Sequence, residues 1–535
     1  MSSLDLLDLL GQSEAYLARA QRGYGAGIWR AVKGGSPPDE GAHHDRIERI
    51  LADDTVLVRL EAAYRREGID ALVRRRAARW LSAALVSQID SQTGALARRR
   101  QTAALLGSFS GAVGRERLDV DGLRVTLARD NDRGRREQAY RALTGLAQSL
   151  LPIVHEGVAL AAGAWSKDRP GRDTTFWRQP LSPFALDWPE MDLPGMVASF
   201  LAQTEPLLER FHHLGTRGGG VRSLQPWDWE HAVLQLAAPY ERYFPPADHA
   251  ASLARATRAC GLIIDTQPLS LELAPKWLPQ ANSGWPATDW LAVGMSRESR
   301  AGSGIEASRL LRPELGLAVD GRLGSQASLG SLARATGTAL GVLLCRAGYL
   351  AERRIAGGID PAAVTLAALL TEPNFLAGQT SMPRSEISSY LAVGSLEAGV
   401  LRAVRLRRIA ALAAAAWQVV LAPGTDPGPV AAHWLREATG VTWDGGVAGL
   451  DLATLVDLAY WPATFLAELA RGQIVGYLRR EHGRLMGERR TGECLVECFW
   501  RYGGLATSTR AIELATGHAL DGTAEAETLL REAGM

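Results

Sequence analysis

The sequence predicts one large, mainly α-helical protein with a small β-sheet near residues 285–330. Three observations carry that expectation. Apolar residues recur at three- and four-residue spacing through most of the chain, the period of an amphipathic helix. Only two segments read as strands, DWLAVGMS (289–296) and GLAVDGRL (316–323), and both fall near the middle. Hydrophobic residues make up 47% of 535, enough for a sizeable core, and there is no short-period repeat.

Taken in order, helical patterns cover residues 5–22, 45–66, 69–87 and 92–107. DRGRREQAYRALTGLAQSLL (132–151) is another, continuing after Pro152 into IVHEGVALAAGAW. Pro and Gly punctuate 168–196, which reads as a loop-rich connection, and helices resume at Met196–Leu214. Gly218-Gly219-Gly220 marks a flexible joint, which divides the chain into an N-terminal helical lobe (1–215) and a second helical lobe (216–535). LQPWDWEHAVLQL (224–236) opens the second. From 331 the chain is helical to its end, broken by APGTDPGPV (422–430) and WDGGVAGLD (443–451).

Composition narrows the partners. A formal net charge of +1 gives no general reason to expect nucleic acid or an anionic membrane. The basic runs Arg74-Arg75-Arg76 and Arg98-Arg99-Arg100 sit in helical patterns and read as solvated faces. Lysine is confined to Lys33, Lys167 and Lys276, a GC-rich coding bias rather than selection for guanidinium chemistry. Four cysteines, Cys260, Cys345, Cys494 and Cys498, are too few for a disulfide framework. Cys494 and Cys498 share a helix face but lack a second ligand pair nearby, so inert thiols are expected. The N-terminal segment has acidic residues where a signal peptide needs basic ones. The most apolar run, Ile409–Ala422, falls short of the roughly 18–20 residues that span a bilayer. The expected location is the cytoplasm.

SLARATGTALG (331–341) has the frame of a metal-holding helix without the ligands. In an HExxH helix two histidines four apart bind zinc on one face and the Glu between them is the general base. Gly337-Thr338-Ala339-Leu340 resembles the GHAL half of the HExGHAL motif of the gluzincin zinc-peptidase clan, which includes oligopeptidases, oligoendopeptidase F and angiotensin-converting-enzyme-like carboxypeptidases. That alignment sets Arg334, Ala335 and Thr338 where His, Glu and His would stand. RPELGLAVDGRLGSQASLGSL (312–332) resembles the lead-in to the zinc helix. GGIDPAAVTLAALLTEPNFL (357–376) resembles the next helix, with Asp360 at or near the third-ligand position. PWDW (226–229), LAYWPATFLAELARGQIVGYL (458–478), RREQAYRALTGL (135–146) and the ending from Gly503 to Leu530 resemble other clan segments in the same order. The resemblance covers most of the chain from about residue 130 onward, and it implies a two-lobed helical metallopeptidase-like fold around a central cleft.

The departures change what the resemblance implies. Arg334 is a cation, Thr338 offers a weak neutral oxygen, and Ala335 removes the base. Asp360 alone is not a zinc site. Ala463 and Leu466 fall near the places of two assisting tyrosines. The expectation is therefore no metal and no cofactor, and a non-hydrolytic pseudopeptidase that binds a peptide or peptide-like small molecule. Two other readings stay open: a repurposed metal-free enzyme running acid–base or cyclising chemistry, and a scaffold with a vestigial cleft. An active zinc enzyme with other ligands is the remaining one. The candidate cleft residues are Arg334, Thr338, Asp360, Glu314, Cys345, Tyr460 and Trp461. An Arg334–Asp360 bridge is expected in place of zinc, against the alternative that Arg334 faces solvent on the channel wall. His155-Glu156 begins like HExxH but lacks the second His and reads as a partly exposed helix face. His212 and His213 point about 100° apart on a helix and cannot chelate one ion. Trp227 and Trp229 read first as core and second as groove wall.

Overall fold

A computed structural model of the chain describes residues 53–166, 182–217, 223–264, 269–274, 290–296, 312–320, 325–346, 360–390, 395–453 and 459–535, together with parts of 10–51. The first helices are α1 (Glu40–Leu51), α2 (Asp54–Arg65), α3 (Ala71–Thr93) and α4 (Ala95–Ser108). The Asp53 and Asp70 carboxylates accept backbone N–H groups of Thr55 and Leu72, donors that no intrahelical carbonyl reaches. Gly94, at φ 66°, ends α3 in the left-handed region and starts α4 in the same step. Leu60, Ala77, Trp80, Ala84 and Leu85 form a small core among these helices.

A hairpin follows, β1 (Gly111–Val113) against β2 (Glu116–Leu118), turning at Gly114 with φ 62°. Next come α5 (Val120–Arg129) and α6 (Arg133–Ser166), which runs through Pro152 without ending. α6 is long and apolar enough to cross a bilayer by length and composition. Its first half is committed to the protein core instead: Ala139, Leu143, Leu146, Ala147 and Leu150 are buried. The loop-rich stretch expected over 168–196 holds a short helix, α7 (Ser182–Asp187). α8 (Leu193–Gln203) begins three residues before Met196, because Asp192 caps it by accepting from Gly195 N. α9 (Glu205–Arg217), α10 (Pro226–Glu241) and α11 (His249–Ala259) complete this part.

The sheet expected near the middle is three-stranded, in the order β3 (Leu269–Ala274), β5 (Arg312–Asp320), β4 (Trp290–Ser296). β3 runs parallel to β5 and β4 antiparallel to it. The two expected strands coincide with β4 and with the second half of β5. β3 lies outside the expected region, and its LSLELA reads equally as helix or strand.

After the sheet come α12 (Ser325–Leu344), which packs against β5, and then α13 (Pro361–Ala367), α14 (Pro373–Gln379), α15 (Arg384–Ser389), α16 (Ser395–Leu421), α17 (Pro427–Thr439), α18 (Gly445–Ala453) and α19 (Tyr460–His482). α20 (Arg489–Cys494) passes into a π-helical turn, Leu495–Trp500, and α21 (Ser508–Thr516) and α22 (Ala524–Glu532) follow. The apolar run 409–422 proves to be central core: Ala410, Ala411, Ala413, Ala415 and Ala416 are fully buried in α16. One large hydrophobic cluster extends from Leu106 to Ala533 and draws on both sides of the glycine joint. Arg407 is fully buried within it, donating to Ala438 O at 2.7 Å and to Thr204 Oγ1 at 2.9 Å, with Glu205 at 2.7 Å. That guanidinium ties α16 to α17 and to the α8–α9 junction.

Candidate functional site

The motif helix α12 keeps its glycines for a steric reason. A Cβ at Gly337 would lie 2.5 Å from Ala363 Cα, so only hydrogen at this position lets α13 come so close. At Gly341 a Cβ would lie 3.0 Å from Trp500 and 3.3 Å from the Asp360 carboxylate. Leu332, Ala333, Ala335, Ala339, Leu340 and Val342 are buried around them. The face that carries Gly337 and Gly341 is thus the one that packs α13 and the π-turn.

Arg334 lies off that packed face, its side chain 45% exposed. Thr338, one turn on and half-buried, donates its hydroxyl to Arg334 O at 3.2 Å. Asp360 comes close to the same helix at Gly341. The expected Arg334–Asp360 bridge is not formed. Asp360 is the N-cap of α13, its Oδ1 accepting from Ala362 N at 2.8 Å, with Pro361 fixing the first turn. The carboxylate is 7% exposed, and burial pushes its pKa up to about 6, against smaller lowering influences from the Ala362 N–H and the Trp500 indole. Trp500 Nε1 faces the carboxylate without reaching full hydrogen-bond geometry. Committed to the cap and shut away from water, Asp360 has no reach toward a cation two turns up the helix.

Arg334 turns to α19, where its Nη1 lies 3.9 Å from Glu468 Oε1. Glu468 opens a chain of alternating charges through the interior. Arg471 contacts Glu468 at 3.4 Å and Glu525 at 3.0 Å. Arg402 bridges Glu525 and Glu532, each at 2.9 Å. Arg479 meets Glu532 at 3.8 Å and Glu372 at 2.7 Å. Burial raises the Glu525 pKa, the two arginines working against it. Burial would lower the Arg471 pKa, but Glu525 and Glu468 raise it above the ordinary arginine value. Nearby, Arg408 is held by Glu230 and by Asp451, the latter at 2.7 Å. Arg405, one turn before it on α16, has neither a hydrogen bond nor an ion pair among the described residues. Solvent reaches Arg405, yet desolvation is the largest influence on its guanidinium and lowers its pKa. Its charge feels Glu230 and Glu241 of α10 and Arg334 of α12.

The other sequence candidates are placed as follows. Cys345 closes α12, buried, its Sγ donating to Arg501 O at 3.7 Å. Tyr460 is half-buried at the head of α19, its ring 5.3 Å from that of Trp461. Trp461 is 5% exposed with its indole directed to Asp451 O at 3.4 Å, a packing position rather than an open wall. Glu314 lies on β5 opposite Gly294. The structure thus sets Arg334 and Thr338 one turn apart on α12, brings Asp360 to the same helix only at Gly341, and sets Cys345, Tyr460 and Trp461 in packed surroundings. Trp229 is core, against Phe211 and Trp443, and Trp227 stacks edge-on with Tyr140 beneath Arg133. His155 is a half-exposed residue of α6, and His212 is held by Thr439 O at 2.7 Å. Sequence reasoning missed Glu468, Arg405 and Arg408. Glu468 lies inside the quoted segment 458–478, where its charge amid buried neighbours was the available signal.

The donor set does not suit zinc. The positions aligned with the clan's ligands hold a cation (Arg334), a hydroxyl bonded back to its own helix (Thr338) and a carboxylate committed to a helix cap (Asp360), and the position aligned with the base holds Ala335. Among the described residues no group of three or more His, Cys, Asp or Glu side chains is placed to hold a metal ion.

The fold is that of the helical M32 carboxypeptidases and oligoendopeptidases. No family model and no curated protein matches the sequence. Solved structures do. The M32 carboxypeptidase from Deinococcus radiodurans R1 aligns at 14% identity over 98% of both chains, with a TM-score of 0.52. Metallocarboxypeptidase 1 of Trypanosoma cruzi aligns at 11% identity over 98% of this chain and 99% of its own, with a TM-score of 0.61. A Bacillus anthracis chain bearing the name oligoendopeptidase F aligns at 12% identity over 93% of this chain and 86% of its own, with a TM-score of 0.56. At such identities the likeness shows the fold.

Proposed function

We propose that the protein binds a peptide or peptide-like small molecule in the cleft of this peptidase-type fold without hydrolysing it. The observation that carries the reading is Arg334. A half-exposed guanidinium stands where the sequence aligns the first zinc histidine, and its partner is Glu468, itself tied into a network of arginines. A dication and this guanidinium would repel one another at the same point. With Ala335 in place of the base, nothing at the motif activates a water molecule. The reading keeps the lobes as 1–215 and 216–535, places the protein in the cytoplasm, and assigns no role to nucleic acid or membrane.

A second reading, metal-free acid–base chemistry, has one observation in its favour: the Asp360 carboxyl, buried beside the motif helix with its pKa pushed up to about 6. Its commitment to the α13 cap counts against it.

The test is ligand capture by the full-length protein from an extract of its native host, followed by mass spectrometry, with metal analysis and peptide-cleavage assays on the same preparation. The expected result is a retained small molecule, no stoichiometric transition metal and no cleavage. Stoichiometric zinc accompanied by peptide cleavage would end the reading.

A further inference from the structure

We infer that a cavity between α11, α14 and the start of α12 is a second binding site, for a free α-amino acid with an apolar side chain. The site goes beyond the cleft-binding reading and does not depend on it: its wall on α12 is Leu329, more than a turn before Arg334.

The cavity has a volume of about 250 Å3. That lies below the roughly 300–1,000 Å3 of sites for drug-sized ligands, so it suits one small molecule and not a peptide segment. Phe244, Leu329 and Phe375 line it and are all but shut off from solvent, an apolar floor for a hydrocarbon or aromatic body.

One face of α11 supplies the polar lining. Asp248, Ser252 and Arg255 follow at spacings of four and three, which stacks them along one side of the helix, with His249 beside them. His249 is 2% exposed, and its Nε2 lies 3.0 Å from Phe244 O. A carbonyl oxygen only accepts, so Nε2 carries the hydrogen. Burial keeps the ring from taking a second proton, its pKa lying below the ordinary histidine value against the opposing pull of that carbonyl. Nδ1 is then a lone-pair acceptor, and it has no partner among the described residues. A buried acceptor without a donor is costly until a bound group supplies one.

The two charges at the cavity are also open. Arg255 turns back along α11, its Nη2 donating to Ser252 Oγ at 3.3 Å and its Nε to Gln379 Oε1 of α14, both neutral oxygens. Among the described residues it has no carboxylate partner. Asp248 is the N-cap of α11 but makes no side-chain capping bond, and no ion pair joins it to Arg255. The hydroxyl of Tyr243, also on the wall, is engaged by Glu386.

A carboxylate, an acceptor and a guanidinium thus wait along one wall above an apolar floor. An α-ammonium group has the N–H donors for Asp248 and His249, and an α-carboxylate fits the fork of Arg255. A simple carboxylic acid leaves Asp248 and His249 unanswered, and a simple amine leaves Arg255 unanswered. Only a zwitterion completes all three.

The experiment titrates L-leucine and, separately, L-phenylalanine into the full-length protein by calorimetry, with D248N and R255Q beside the wild type. N-acetyl-L-leucine and L-leucinamide serve as probes that each lack one charge. At least one amino acid is expected to bind one-to-one. Each substitution, and each loss of a ligand charge, should weaken binding roughly tenfold or more, with R255K recovering part of the loss. Asp248 and Arg255 are exposed, so both variants should fold, which circular dichroism checks. Binding of neither amino acid overturns the inference. So does unchanged binding in either folded variant, or equal binding of the acetylated or amidated probe.

Discussion

Arg334 faces Glu468, not Asp360: the guanidinium of α12 lies 3.9 Å from a carboxylate on α19, while Asp360 caps α13 behind the helix. The charge at the position aligned with the first zinc histidine is thus shared across two helices rather than neutralised in place. Because Arg334 is 45% exposed and Glu468 has Arg471 as a second partner, their direct coupling is weak. A double-mutant cycle with R334Q and E468Q, read by urea unfolding, should give a coupling below about 1 kcal/mol. A coupling of several kcal/mol would mean that the pair is a structural staple instead of a poised surface.

Gly337 should tolerate nothing larger. A methyl group there meets the Ala363 backbone at 2.5 Å, and backbone cannot swing aside as a side-chain tip can. Gly337→Ala is expected to destabilise the protein by about 1–3 kcal/mol despite the better helix propensity of alanine. Gly330 on the same helix has open space at its Cβ position, so Gly330→Ala is the control and should be neutral or stabilising. Denaturant midpoints of the two variants decide it.

Asp360 makes stability fall as pH rises. Its folded pKa, about 6, lies above the ordinary 3.8, so the native state binds more protons than the unfolded chain between those values. Its contribution is complete below about pH 3.8 and is lost as pH climbs through about 6, a swing of at most roughly 3 kcal/mol. Asp360→Asn keeps a side-chain oxygen for the α13 cap and removes the titration. The variant should therefore gain on the wild type between pH 3.5 and 7.5, the largest gain lying at the alkaline end. A difference in unfolding free energy that stays flat across that range would contradict the burial argument.

Arg407 is the interior charge whose loss should hurt most. It is fully buried with five protein oxygens around it, Ala438 O, Leu201 O, Thr204 Oγ1, Glu437 O and a Glu205 carboxylate oxygen. Arg407→Ala strands those acceptors and opens a cavity, and a loss of about 3–5 kcal/mol is expected. Arg407→Lys cannot reproduce the fork and should recover only part. Thermal unfolding of both variants provides the check.

How much of this was legible in the sequence follows from range. Helical period is local, and it marked α2, α3, α4 and α6 and nearly everything after residue 331, but not the ten-residue α5. The Asp192 cap moved the start of α8 by one turn, a side-chain effect that period alone does not register. The β1–β2 strands are three residues long, too short to display alternation. β4 and β5 stood out by composition, whereas β3 did not. At the site, the aligned motif marked α12, Arg334 and Asp360 because those residues are near in sequence. The partner of Arg334 lies 134 positions on, and the charges linking it to Glu372 come from α16, α19, α22 and the turn before α14. No spacing rule joins residues that only tertiary packing brings together. Trp461 shows the converse: its segment drew attention by resemblance, but which of its side chains turns inward depends on neighbours such as Asp451.

The cysteines should divide by position. Cys494 and Cys498 are half-buried, one turn apart, with thiols that interact directly. The hydrogen bond from its neighbour lowers the Cys498 pKa against the opposing effect of burial, while the same contact, followed by burial, raises that of Cys494. The thiolate is the nucleophile, so the two do not react alike. Cys260, whose thiol burial pushes up to about 11, and Cys345 are both shut in the core. Iodoacetamide at pH 7.5 should therefore label Cys498 first and Cys494 slowly, with Cys260 and Cys345 modified only after denaturation. Peptide mapping of a labelling time course gives the order directly. Equal rates at the pair, or early labelling of Cys345 at the end of α12, would show that this end of the motif helix opens to solvent more freely than its packing allows.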